Sequence, residues 1–224
     1  MKKTKLWISG LAGLLVVGLV VGFATNSHKD LSEKLKSSVE GELELRYYGT
    51  MSPMLEDSNS YVPTYHEDSI MAGSMDLLHA VLPEYFQKLG NPEFVWDSEL
   101  LSDSTFDQVK NHVEKAYKMA DFQVNSSVLD KNEYLLTVEV LPVNALSGLT
   151  EDTLNTIKSD ETLAGNIDLM VETVLSHLDT PEKSEVSEKY TIQSTYGTDP
   201  TEGFYPNIDE TMAMYEGIVV FQMS

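Results

Sequence analysis

The sequence of 224 residues contains no cysteine. Disulfide bonds and thiolate metal sites are therefore excluded, and so is the attachment of a lipid to an N-terminal cysteine. The stretch Val21–Asn26, where a lipoprotein would carry that cysteine, has none. The 200 residues after Ala24 must therefore be held together by an ordinary hydrophobic core, and they are numerous enough to form one.

Basic residues are few. The chain has 15 Lys and Arg side chains against 36 Asp and Glu, and Arg46 is its only arginine. After Ala24 the balance is 12 basic against 36 acidic residues, a formal charge of −24. Because binding to phosphates needs clustered lysine and arginine, this composition excludes nucleic acid as a partner and argues against docking on anionic lipid. The dispersed negative charge indicates either a solvated surface or weak binding of cations at many sites.

Recognisable catalytic motifs are also absent from the sequence. It has no glycine-rich phosphate loop, no His-Glu-x-x-His pair, no Gly-x-Ser-x-Gly elbow and no complete calcium-binding loop. The fragments Asp57–Asn59 and Asp130–Asn132 offer too few oxygen ligands for calcium, and we interpret them as turns. We therefore predict no catalytic residues, no metal site and no cofactor.

A hydrophobic run follows a basic N-terminus. Three lysines among the first five residues precede Leu6–Ala24, a run of 19 residues without a charged side chain. As a helix this run spans roughly 28 Å, close to the ~30 Å hydrocarbon core of a bilayer. The lysines favour a cytoplasmic N-terminus, so the rest of a single-pass membrane protein is expected outside the cell membrane. Small residues before Thr25 leave a second alternative open, a signal peptide that is cleaved near Ala24 to give a secreted product.

Hydrophobic periodicity predicts an α+β domain over residues 25–224. Apolar residues at four-residue spacing predict a helix from about Asp30 to Tyr47, although alternation over Leu43–Tyr47 leaves a strand as the alternative. The other predicted helices cover 70–89, 104–120 and 163–178, and Pro83 either kinks the first of them or starts a separate turn. The remaining predicted elements are a β-hairpin over 122–129 and 134–141, a strand over 186–197, and a helix or edge strand over 208–221. After a transmembrane or signal helix within residues 1–24, we therefore predict one extracytoplasmic domain, with helices packed on a small antiparallel sheet.

Aromatic residues surround the irregular connection of residues 49–67. Such residues can stack on sugar rings or on peptides. Tyr48, Tyr61, Tyr65 and His66 are therefore the candidate ligand-binding residues, with ordinary packing as the alternative.

Two further groupings have suitable residue types without suitable spacing. His66 and Asp68 could meet His79 only if the connection folded back, and nothing in the sequence requires that. The residues Ser176–Asp179 include those of a hydrolase triad. Neighbours on one helix point about 100° apart, however, and cannot form the triad geometry.

The order of elements from residue 104 to residue 221 carries a resemblance to known proteins. A hairpin with the phrase Tyr134-Leu-Leu-Thr-Val-Glu-Val-Leu-Pro142-Val is followed by a long helix, a strand, and Gly203-Phe-Tyr-Pro-Asn-Ile-Asp-Glu210 before a last helix. This order resembles a class of small cell-envelope lipoproteins from Gram-positive bacteria, most of which have no assigned role. The resemblance implies an extracytoplasmic α+β domain and brings no catalytic residues with it. The missing cysteine departs from the pattern of that class.

Together these observations favour a non-enzymatic binding or interaction module at the outer surface of the cell membrane. Residues 6–24 would contact the membrane, and an envelope protein or a glycan would be the partner. Two alternatives stay open: an envelope hydrolase that acts on peptide or glycan, and a surface protein whose structure depends on cations.

Overall fold

The structure is a computed structural model that describes residues 28–50, 65–88, 101–163, 166–197 and 204–223. It has the predicted α+β class. Its residues form two compact units, each assembled from three stretches of the chain. The sheet unit draws on the described parts of Met1–Glu67, Ala120–Pro142 and Glu185–Ile218. The helical unit draws on those of Asp68–Met119, Val143–Ser184 and Val219–Ser224.

The helices are α1 (His28–Tyr48), α2 (Tyr65–Asp76), a π-helical turn (Leu77–Val81), α3 (Leu82–Lys88), α4 (Asp103–Lys118), α5 (Glu151–Ser159), α6 (Ile167–His177) and α7 (Ile208–Ile218). The strands are β1 (Phe122–Asp130), β2 (Glu133–Val140), β3 (Val143–Asn144), β4 (Glu182–Lys183), β5 (Glu188–Tyr196), β6 (Phe204–Pro206) and β7 (Val219–Val220). No described helix is both long and apolar enough to cross a bilayer, and the predicted membrane segment lies outside the described residues.

The sheet unit is built on a four-stranded antiparallel sheet in the order β1-β2-β5-β6. The predicted hairpin is confirmed, with Val124 opposite Val138 across the first strand pair. Alternation places the even-numbered side chains of β2 and β5 on one buried face, where Leu136 lies opposite Ile192. Helix α1 packs on β1, and α7 packs on β5 and β2. Two helices therefore cover one face of this sheet.

Helix α1 resolves the alternative that the sequence left open. Residues 28–48 are helical throughout, so the strand alternative over Leu43–Tyr47 is wrong. The four-residue stripe explains this outcome because it lines one face over the whole helix, whereas the alternation covers only its last turns. The small side chain of Ser32 lets α1 approach the sheet closely, and its Oγ lies 2.8 Å from the Oγ of Ser126 on β1.

The helical unit packs α6 against both α4 and α5. Its three-stranded sheet has the order β4-β3-β7, with β3 antiparallel to β4 and parallel to β7. His112 on α4 lies with its Nε2 2.6 Å from the carbonyl oxygen of Ala145, just after β3. Burial is the main cause that lowers the pKa of His112, so its neutral form is favoured. The apolar core of this unit includes Val109, Val113, Leu154 and Val171, each essentially inaccessible to solvent.

The helix is irregular just before Pro83, where the sequence predicted a kink or a separate turn. The turn before it is a π-helix over Leu77–Val81, in which the amide of Leu82 donates to the carbonyl of Leu77 five residues earlier. Proline has no N–H to donate and its ring crowds the preceding turn. The wider π turn accommodates this crowding, and the chain continues as α3 without a break.

The predicted helix over 163–178 is wrong at its start. The structure has α5 over residues 151–159, which the periodicity did not reveal, and α6 begins only at Ile167. Side-chain caps explain both starts: Thr150 accepts from the amide of Thr153, and Asn166 accepts from the amide of Leu169. The predicted strand also starts later than expected, because Val186 precedes β5 and is 72% exposed.

The tail contains both of the alternatives that its sequence suggested. Asn207 caps α7 by accepting from the amide of Glu210 at 3.2 Å, and β7 follows the helix immediately. Glu210 does not complete a capping box with Asn207. Its carboxylate instead accepts from the amide of Gln193 on β5 at 2.7 Å.

Candidate functional site

The predicted ligand-binding residues gather, where described, at the C-terminal end of α1. Tyr48 is 37% exposed, and its ring stacks on that of Phe122 with the centroids 5.7 Å apart. Its hydroxyl donates to the carbonyl of Ala120 at 2.5 Å. Burial raises the pKa of the Tyr48 hydroxyl, with a smaller contribution from Asp121. Tyr61 lies outside the described residues.

Tyr65 and His66 begin α2 and contact α1. Tyr65 is only 9% exposed, and its hydroxyl donates to Oε1 of Glu42 at 3.2 Å. His66 is half-buried, with its Nδ1 2.8 Å from the carbonyl oxygen of Arg46. Gly49 has a positive φ of 67° and lies directly against the His66 ring. The contacts of Tyr65 and His66 therefore fix the start of α2 on the last turns of α1.

A charged cluster that sequence reasoning missed lies beneath these residues. Its members are Glu42, Arg46, Tyr65 and Tyr215, contributed by α1, α2 and α7. The guanidinium carbon of Arg46 lies 4.2 Å from the centroid of the Tyr215 ring, a cation–π contact. Glu42 as a whole is half-buried, and its carboxyl end accepts hydrogen bonds from the two tyrosines. We call these four residues the Glu42 cluster.

The Glu42 cluster changes the acid–base behaviour of its members. Burial raises the pKa of Glu42 from 4.5 to about 7, although the charge of Arg46 and the hydrogen bonds from Tyr65 and Tyr215 oppose that rise. Burial likewise raises the pKa of Tyr65 and that of Tyr215, and the nearby Glu42 charge adds to both shifts. A signal existed in the sequence, because Glu42 lies four residues before the only arginine and shares a helix face with it.

The remaining polar groupings do not form sites among the described residues. Asp68 and His79 are exposed, and no described group of three His, Asp or Glu side chains lies close enough to hold a metal ion. Ser176 donates its hydroxyl to the carbonyl of Thr173 at 2.7 Å, one turn back along α6. Its hydrogen bond therefore serves the helix backbone.

The four-stranded sheet has a second face that the helices α1 and α7 do not cover. Its side chains, which we call the open face, are exposed on β1, β5 and β6, and on the central strand β2 they are half-buried except for the exposed Glu133. They come from the odd-numbered positions of the strands, and on β1 they end at Ser127, before the register shift between Val128 and Asp130. The open face comprises Gln123, Asn125, Ser127, Glu133, Leu135, Thr137, Glu139, Lys189, Thr191, Gln193, Thr195 and Tyr205.

The open face is nearly neutral in a chain of net charge −21. Three of its side chains are charged, and two of these, Lys189 and Glu139, form an ion pair at 3.7 Å. Seven are serine, threonine, asparagine or glutamine side chains, and none of the seven makes a side-chain hydrogen bond within the described part of the chain. The open face therefore presents donors and acceptors that a ligand could use.

Comparison with known proteins shows a similar fold and no sequence match. The sequence matches no family model and no curated protein. The crystal structure of YcdA from Bacillus subtilis, described as a candidate lipoprotein, is similar to this chain with a TM-score of 0.55 at 11% sequence identity. The similarity covers 86% of this chain and 58% of YcdA. At this identity the likeness concerns the fold.

Proposed function

We propose that this chain is an extracytoplasmic binding module, held at the membrane by residues 6–24, whose ligand contacts the open face. The single observation that carries the proposal is the set of seven neutral polar side chains with no hydrogen bond to any other described residue. The hydrophobic run behind three lysines supports the location. The likeness of the fold to a candidate lipoprotein agrees with an envelope module.

The open face suits ligand binding better than the residues around Tyr65. The hydroxyl of Tyr65 is engaged by Glu42, and the hydroxyl of Tyr48 by the backbone of Ala120. Their hydrogen-bonding capacity already serves the contacts within the sheet unit. The open face offers unused hydrogen-bonding groups on β-strands. Because the strands already hold these groups in position, ordering them on ligand binding costs little entropy.

Binding to envelope material tests this proposal. We expect the full chain, extracted in detergent, to bind washed cell envelopes saturably, and Asn125→Arg with Thr191→Arg to lower that binding about ten-fold or more because two bulky charges cover the open face. Ser37→Arg, on an exposed position of α1, is the matched control and should bind as the wild type does. Equal binding by all three proteins would contradict the role of the open face.

The location is tested separately by the intact mass of the native protein. We expect the full-length mass in carbonate-washed membranes, with the domain digested by protease added to intact protoplasts. A mature chain that begins near Thr25 in the soluble fraction would show instead that the N-terminal segment is cleaved and that the protein is secreted.

A second candidate function is suggested by the Glu42 cluster. A carboxyl group with a pKa of about 7 can act as a general acid or base near neutral pH, as an envelope hydrolase would require. If so, a panel of envelope peptides and glycans should show turnover that Glu42→Gln abolishes. Turnover that survives this substitution, or none in the panel, would exclude Glu42 as the catalytic group for these substrates.

A further inference from the structure

The open face is organised in rows that run across the strands. The strand register places Asn125, Thr137 and Thr191 side by side in one row. The next row toward the hairpin turn has Ser127, Leu135 and Gln193. Neighbouring strands lie about 4.8 Å apart, so each row presents closely spaced polar groups along a line.

These groups select the chemistry of a ligand. A hydroxyl donates one hydrogen bond and accepts others, and a primary amide also does both. Sugar hydroxyls have the same dual character, so each of them can find a partner on such a surface. An anionic polymer would instead need clustered arginine or lysine, and Lys189, the one cation of the open face, is paired with Glu139. A peptide strand would pair with a sheet edge, where backbone groups are free, and not with a sheet face.

Two side chains of the open face also offer apolar surface to a sugar. Tyr205 on the edge strand β6 is 45% exposed and lies beside Thr195 in the register. Its ring can stack on the C–H face of a sugar ring, since tyrosine combines an apolar body with a polar tip. Leu135 lies between the polar side chains of its row and offers a smaller apolar contact. A protein partner would call for a larger aromatic and aliphatic centre than these two residues provide.

We propose that the ligand of the open face is an uncharged glycan chain, bound across the strands by the Asn125 and Ser127 rows with Tyr205 as the stacking platform. The inference rests on the proposed function and adds the chemical class of the ligand. Neutrality of the ligand follows from the surface, because a bound polyanion would meet a chain of net charge −21 without a cationic patch on the open face.

Calorimetric titration of the full chain in detergent micelles tests the inference. The probes are cellohexaose and chitohexaose, uncharged hexamers without and with amide groups, and polyglycerol phosphate as the anionic comparison. We expect saturable binding of at least one hexamer that is insensitive to salt. Thr137→Ala with Thr191→Ala should weaken it about ten-fold or more, and so should Tyr205→Ala, whereas Ser37→Ala should leave it unchanged. Circular dichroism of each variant checks that the fold is intact.

The outcomes separate the inference from the function on which it rests. Binding of neither hexamer, or binding of polyglycerol phosphate that weakens with salt, would overturn the glycan inference. If washed envelopes were still bound through the open face in that case, the binding module would stand with another ligand. If envelope binding were also insensitive to changes on the open face, the proposed function would fail with it.

Discussion

Replacing Glu42 with glutamine should make the protein more stable above pH 7 and remove part of its pH dependence. The folded protein holds the Glu42 proton up to about pH 7, whereas an unfolded chain releases it near pH 4.5. Between these values the folded state binds more protons than the unfolded state, so the free energy of unfolding decreases as the pH rises. The stabilisation from the Glu42 proton is fully present below pH 4.5 and is lost through about pH 7, a loss of about 3 kcal/mol.

Glutamine keeps the shape of the protonated carboxyl and cannot ionise. Denaturant unfolding of the wild type and Glu42→Gln between pH 4.5 and pH 8 should therefore give similar stabilities at the acid end and a gap of about 3 kcal/mol in favour of the variant at the alkaline end. Glu40→Gln is the matched control, since Glu40 lies on the same helix and makes only a surface ion pair with Lys36 at 3.7 Å. Parallel curves for the wild type and Glu42→Gln would show that the carboxyl titrates like an exposed one.

Replacing Gly148 with alanine should destabilise the helical unit by about 3 kcal/mol, through backbone strain and a clash together. Gly148 has a φ of 84°, a conformation that residues with a Cβ rarely adopt. A Cβ at this position would lie 2.9 Å from the backbone nitrogen of Asp179 and 2.5 Å from its Oδ2. The side chain of Asp179 can rotate away. Its backbone cannot, because its amide donates to the carbonyl of Ser147 at 2.8 Å.

Gly49→Ala provides the matched comparison for this effect. Gly49 also has a positive φ, but the atoms nearest to the Cβ of an alanine there would be side-chain atoms of His66, the first of them at 3.0 Å. We therefore expect a smaller loss, of about 1 kcal/mol, since the ring can shift by a few tenths of an ångström. Thermal or denaturant unfolding of both variants measures the difference. Equal losses would mean that the positive φ alone sets the cost and that the approach of Asp179 contributes nothing.

Local patterns in the sequence predicted much of the fold, and capping residues explain the main error. The hairpin and α4 were found because alternation and helical periodicity are strong over their whole length. Helix α5 was missed because it has two buried apolar residues in nine, Leu154 and Ile157, too few for a periodic signal. Thr150 followed by acidic residues in the first turn was the stronger indication of its start.

The candidate site was less predictable because it depends on contacts between distant segments. Glu42 and Arg46 could have been paired from their spacing, but Tyr65 and Tyr215 join them only through the fold. The open face could have been anticipated from the polar alternation of β1, β2 and β5, and its neutrality was readable from the same residues. The hairpin prediction already placed β1 beside β2. What the sequence could not reveal is that β5 pairs with the other side of β2, which brings three polar strands into one surface.

The hydrogen bond that the carboxylate of Glu210 accepts couples the local unfolding of α7 to that of β5. The amide of Gln193 donates to the carboxylate of Glu210, which lies in the first turn of α7. The carbonyl of Gln193 accepts from the amide of Asn207, the residue that caps that helix. Fraying of the helix start therefore releases both backbone groups of a strand residue at once. Amide hydrogen exchange at Gln193 is then coupled to the opening of α7, so the helix start and the strand behave as one cooperative unit.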